Sequence, residues 1–146
     1  EIIELEPESN GTDLSSALRF LTNAIKKSCT AFVLSDMLDV DAAGHPNSED
    51  ALKVAANRHD LSVLKIYDPR EKSLPALGLV NVRDSENGRT AWINTDSARL
   101  RKAYSEWNSS VCEEENRLFN KYRIDNIDIA TNQDYVKRLM TFFHKR

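Results

Sequence analysis

The apolar positions of this chain change period repeatedly, and each change marks an element. Leu14, Leu18, Leu21 and Ile25 recur at helical spacing with Ala17 and Ala24 alongside, and Lys26-Lys27 follow where the negative end of a helix dipole would lie. The spacing predicts an amphipathic helix of about four turns. Thr30-Ala31-Phe32-Val33-Leu34 is apolar without alternation, which predicts a strand covered on both faces, as in a parallel sheet. A loop from Val40 to Asn47, containing Gly44 and Pro46, leads to a helix that Ser48 could cap and that runs to about Arg58. Leu61 to Tyr67 is the next branched, apolar run, and Asp68-Pro69 closes it with a turn. Strand, helix and strand in that order form a right-handed crossover unit, so Phe32 to Leu34 and Leu61 to Tyr67 are expected to lie parallel in one sheet.

The alternation then breaks. Leu79 to Asp84 and Arg89 to Asn94 flank Ser85-Glu86-Asn87-Gly88, and Asn-Gly between strand-like runs predicts a β-hairpin. From Ser97 to about Arg123, the positions Leu100, Tyr104, Trp107, Val111, Leu118 and Tyr122 keep a helical period for roughly seven turns, with Thr95 or Asp96 as the cap. The clusters Arg99-Arg101-Lys102 and Glu113-Glu114-Glu115 read as its solvated face. Ile124, Ile127 and Ile129 predict a short last strand. Thr131-Asn132-Gln133-Asp134 has the form of a capping box before a final helix whose inner face is Tyr135, Val136, Leu139, Met140 and Phe143.

Composition narrows the class. With 146 residues, 40% hydrophobic and 29% charged, the chain is sized for one α/β domain with its own core. A net charge of -3, with basic residues dispersed among acidic ones, argues against nucleic acid or an acidic membrane as partner. Cys29 and Cys112 lie far apart without metal spacing, so idle thiols in a reducing, cytoplasmic compartment are expected. No apolar run approaches the about 20 residues of a membrane helix. The chain begins at Glu1 inside Ile2-Ile3-Glu4-Leu5 without a methionine, which suggests a piece cut from something longer.

Candidate chemistry gathers where strands end. Asp36, Asp39 and Asp41 follow one strand and Asp68 and Glu71 the next, the place where open α/β sheets bind ligands. Carboxylates there could hold Mg²⁺, or could simply cap turns and helices. Gly11-Thr12-Asp13 is similarly open: a helix cap, or a hydroxyl that ligates a metal beside Asp36. His59 next to Asp60 suggests an acid-base pair, yet adjacent residues at a helix end point apart and no nucleophile accompanies them, so a capping or structural role is expected. His45 and His144 are expected in solvent. Four glycines leave no Walker A or dinucleotide fingerprint, which argues against an ATPase or NAD enzyme.

The stretch Arg58-His59-Asp60, Val63 to Tyr67, Asp68-Pro69-Arg70-Glu71, Leu74-Pro75 and Gly78, with Asp84-Ser85-Glu86-Asn87-Gly88 and the closing Asp134-Tyr135, Leu139 and Phe142-Phe143 up to Arg146, resembles the bacterial domain of unknown function 58 family. Members of that family look like divergent von Willebrand factor A domains. The resemblance implies a Rossmann-like three-layer sandwich with a mostly parallel sheet and an inserted hairpin, of which this chain would be the C-terminal part. It also implies genes beside MoxR-type AAA+ ATPases and a non-enzymatic, adaptor-like role in the assembly or maturation of other proteins. A domains hold a metal with an Asp-x-Ser-x-Ser loop, a distant threonine and a distant aspartate. Thr12 matches the threonine and Asp36 the aspartate. The serine loop is missing: Asp60-Leu61-Ser62 comes nearest but has Leu64 in the last place, and Asp13-Leu14-Ser15 fails at Ala17. Mg²⁺ is therefore expected to bind weakly or not at all unless residues before Glu1 complete the site. The alternative from another class is a metal-dependent hydrolase built on Asp36, Asp39 and Asp68, for which no base or nucleophile can be placed.

Overall fold

A computed structural model describes residues 12–41, 44–83 and 88–145. Helix α1 (Leu14–Ala24) starts on Asp13, whose carboxylate accepts from the Ser16 amide at 2.8 Å and from its hydroxyl at 2.7 Å. It ends one residue before the last position of its apolar spacing, because Ile25 is already in extended backbone (φ -102°, ψ 105°) and turns the chain toward strand β1 (Thr30–Ser35). Helix α2 (Glu49–Arg58) and strand β2 (Asp60–Tyr67) are separated by His59 alone. Ser48 stands at the cap position of α2, but its side chain makes no capping hydrogen bond.

Strand β2 pairs in parallel with β1, Val33 opposite Val63, as the sequence predicts. Its other edge pairs in parallel with β5 (Asp125–Ala130), Ile66 opposite Ile129, which gives the order β1-β2-β5. Strands β3 (Leu79–Arg83) and β4 (Thr90–Asn94) form a separate antiparallel hairpin. Its expected turn residues Asp84, Ser85, Glu86 and Asn87 lie outside the described residues, as do the Pro7-to-Gly11 loop and Arg146. Helices α3 (Ala98–Tyr122) and α4 (Tyr135–Lys145) complete a mixed α/β fold.

Two caps differ from expectation. Ser97, not Thr95 or Asp96, caps α3 by accepting from the Leu100 amide at 3.3 Å. Thr95 is diverted into the hairpin base, where its hydroxyl donates to the Gly78 carbonyl at 2.8 Å and accepts from the Leu77 amide at 2.9 Å. At α4, Asp134 accepts from the Val136 amide at 3.0 Å. Thr131 lies three residues ahead of that cap position, with its amide donating to the Tyr67 carbonyl at 3.0 Å, so the helix starts later than the capping-box pattern predicts.

The two faces of the sheet are covered unequally. Leu61 and Val63, with Ala31 and Val33, pack against Leu14 and Leu18 of α1, Leu52 and Ala55 of α2, and Phe119 of α3. Val63 and Leu52 are fully buried there. On the opposite face Phe32 is 44% and Leu34 62% exposed, so the expectation that this strand is covered on both sides is corrected to one. The helix on that face is α4. It meets β1 through an edge-on contact of Phe143 with Phe32 at 5.7 Å, and none of its own residues is buried. Its expected inner row is therefore loosely seated: Tyr135, Val136, Met140 and Phe143 all remain exposed. One 11-residue helix is too small a lid for three strands, and β1 is an edge strand among the described residues.

Candidate functional site

Strand β1 runs into Asp36, which is exposed and accepts from the Leu38 amide at 3.1 Å. Between them Met37 has φ 63°, rare for a residue with a side chain. Its side chain is buried in the core and its amide donates to Ser35 Oγ at 3.0 Å, which together hold the unusual backbone and leave Asp36 pointing to solvent beside it. Three residues on, the Asp39 carboxylate accepts from the Leu14 amide at 3.2 Å and from Asn47 Nδ2 at 2.8 Å. That clasp pins the start of α1, and with it the exposed Thr12, to the loop that carries Asp36.

The remaining carboxylates serve local structure. Asp41 accepts from the His45 amide at 2.9 Å. Asp68 caps a 3₁₀ turn (Pro69–Lys72) by accepting from the Arg70 amide at 2.9 Å, while Glu71 accepts from the Asp68 amide at 3.2 Å and Pro69 fills the first position. Asp39 and Asp68 are thus tied into local backbone structure, while Thr12 and Asp36 are both exposed. Among the described residues no group of three or more His, Cys, Asp or Glu is placed to hold a metal ion.

A feature that the sequence did not reveal lies just inside these strand ends. Lys65 of β2 forms an ion pair with Glu115 of α3, and its ammonium lies 3.8 Å from Cys112 Sγ. Glu115 is 2% exposed, which corrects its assignment to a solvated cluster. The signal was present: Glu115 falls four residues after Val111 and three before Leu118, in the buried row of α3. Burial pulls the Lys65 ammonium down, but the hydrogen bond and charge of Glu115, helped by Cys112 and Asp128, prevail and hold it above the ordinary lysine value. Burial pushes Glu115 above the usual carboxylate range, and Asp128 and Asp36 add to this against the pull of Lys65. Above the pair is a cavity of about 130 Å³ whose lining includes Asp36, Lys65, Tyr67, Tyr104, Trp107 and Asp128. Tyr104 Oη donates to the Glu71 carbonyl at 2.7 Å, which fixes α3 against the turn after β2.

The residues of the Arg58-His59-Asp60 motif lie at the other end of the strands. Arg58 Nη1 donates to the Thr22 carbonyl at 2.7 Å and ties α2 to α1. His59 is buried, its amide donates to the Ala55 carbonyl at 2.9 Å, and its Nδ1 lies 3.4 Å from Cys29 Sγ. Asp60 is exposed beside it, with its amide on the Cys29 carbonyl at 2.9 Å, so the two side chains part as adjacency predicts. Pro75 is exposed in the loop before β3, and Asp84 and Glu86 lie outside the described residues.

The model of the family described as "Protein of unknown function DUF58" matches residues 1–114, and the chain belongs to that family. An uncharacterized protein of Mycobacterium avium is 25% identical over 134 residues, which are 92% of this chain and 76% of that protein. Uncharacterized proteins of Mycobacterium bovis and Mycobacterium tuberculosis are also 25% identical over 134 residues, and there the match spans 40% of their length. No solved structure matches.

Proposed function

We propose that this member of the DUF58 family is a non-enzymatic protein-interaction module similar to a von Willebrand factor A domain. In this reading it forms the C-terminal part of that domain and works in the cytoplasm with a MoxR-type AAA+ ATPase in the assembly or maturation of other proteins. The observation that carries the reading is the clasp at Asp39, which gathers the Thr12 loop and Asp36 at the C-terminal ends of parallel strands, where open α/β sheets present ligands. The bare face of β1 adds support, since parallel strands are normally buried on both sides and a further strand and helix of the same domain would cover Phe32 and Leu34. A hydrolase is disfavoured because Asp39 and Asp68 are engaged by backbone amides.

Mg²⁺ would meet one hydroxyl and one carboxylate, Thr12 and Asp36, and this ion gives up its water reluctantly. Binding by this chain alone is expected no tighter than about millimolar, roughly -4 kcal/mol. The test is calorimetric titration of the chain with a MoxR-type AAA+ ATPase of its own organism. Binding that Asp36→Ala and Thr12→Ala both abolish supports the reading. Absence of binding, or binding that neither change affects, overturns it.

A further inference from the structure

We infer that the cavity between the strand ends and α3 is a receptor for an arginine side chain of a protein partner. The inference rests on the reading above that this end of the sheet is an interaction face, and it names what that face recognises. Size is the first argument. About 130 Å³ admits one slender side chain, whereas sites for cofactors and drug-sized ligands run to roughly 300–1,000 Å³.

Charge is the second argument. Lys65 at the floor is neutralised by Glu115, and the Lys72 ammonium sits 3.8 Å over the Tyr67 ring. The lining carboxylates Asp36, Glu71 and Asp128 form no salt bridge among the described residues, so the cavity holds more negative charge than it balances. Against these three carboxylates the cavity sets only the Lys72 ammonium, Lys65 being paired, so it lacks cationic donors.

The walls decide which cation. Tyr104 and Trp107 stand one turn apart on α3 with ring centroids 6.0 Å apart and planes tilted by 42°. A planar guanidinium can stack on such rings while its fork donates to carboxylates, which a compact ammonium does less well. The cavity also adjoins a groove of about 760 Å³ that shares Asp36, Glu71, Tyr104 and Trp107 and is lined as well by Val82, Arg83, Arg89 and Ala91, so the excess of negative charge is confined to the cavity itself. A groove of that size accommodates the backbone on which the arginine is carried, so the source is a polypeptide rather than free arginine.

The test uses the two tryptophans of the chain, Trp92 and Trp107. In a Trp92→Phe background Trp107 reports alone, and acetyl-Gly-Arg-Gly-amide is titrated against its fluorescence. The expected result is a saturable change that weakens about tenfold or more when citrulline, a neutral isostere, replaces arginine, and likewise on Asp128→Asn. Asp128 is exposed, and an unchanged melting temperature confirms that the variant is folded. A flat titration, or equal response to arginine and citrulline, overturns the inference. Asp128→Asn leaves Thr12 and Asp36 intact, so ATPase binding that persists while the arginine titration is flat refutes the receptor without touching the module. An arginine response without ATPase binding does the reverse.

Discussion

At its β1 edge the sheet has two faces that carry similar residues and have opposite fates, although farther in, on the face of Phe32 and Leu34, Leu64 and Ile129 are buried. On one, Val33 and Val63 meet three helices, and Val63 is fully removed from water. On the other, Phe32 and Leu34 are larger and more apolar, yet about half of their surface is wet, with α4 resting loosely beside them. The difference teaches that the apolarity of a strand records the surroundings for which it was selected, while its burial records what this chain itself provides. Leu34 is written for a neighbour, and Val63 already has one.

The largest effect should come from the closed face. Val63→Asp puts an unpaired carboxylate among Leu14, Leu52 and Phe119, and should cost several kcal/mol, enough to abolish cooperative melting. A soluble variant with an unchanged melting temperature would break the comparison at its strongest point. Next comes the pair at the edge of that face. Lys65→Met strands Glu115 in the interior and should cost about 3–5 kcal/mol by urea denaturation, whereas Lys65→Met with Glu115→Leu should recover most of the loss. If the double variant is as weak as the single one, the pair is not the reason for the loss.

On the open face Leu34→Asp should change stability by no more than about 0.5 kcal/mol, because the position stays in water in either case. A loss comparable to that at Val63 would mean that the face is covered in solution. The smallest effect concerns pH. The Glu49 carboxylate accepts from Lys121 Nζ and from Tyr122 Oη, both at 2.8 Å, and these hydrogen bonds hold it below the ordinary carboxylate value. A lowered folded value means stability that is present above about pH 4.5 and is lost as the pH falls through the folded value. Glu49 is partly exposed, so the loss should be slight. Glu49→Gln should flatten the acid limb of the melting-temperature profile below about pH 4.5, and a limb that stays as steep assigns it to other groups.

The parallel pairing of β1 with β2, the hairpin and the 25-residue α3 were readable because each follows from a local period or a turn dipeptide. Cap identities were not. Thr95, Asp96 and Ser97 all have capping chemistry, and only the hairpin base, which claims Thr95, decides among them. Glu115 was hidden by its neighbours Glu113 and Glu114, although it alone of the three keeps the spacing of Val111 and Leu118 in the buried row. The site was readable as a location, the strand ends, but not as a cavity. Its floor and walls come from residues 47 positions apart in sequence, Lys65 and Cys112, which only the packing of α3 brings together.

The register of β2 carries one more consequence, for the order in which the molecule assembles. Thr30 finds its partner Asp60 across 30 residues, and Ser62 finds Asp125 across 63. Closing the longer loop costs about 0.7 kcal/mol more in chain entropy and must wait until the hairpin and α3 have left the ribosome. The first half of the chain can thus pair β1 with β2 while both outer edges of that pair are still unmatched, and the arrival of β5 ends the exposure on one of them. Nascent chains are most open to misassociation in that interval, which lasts for roughly the 60 residues of synthesis between the two strands, a few seconds at ribosomal speed.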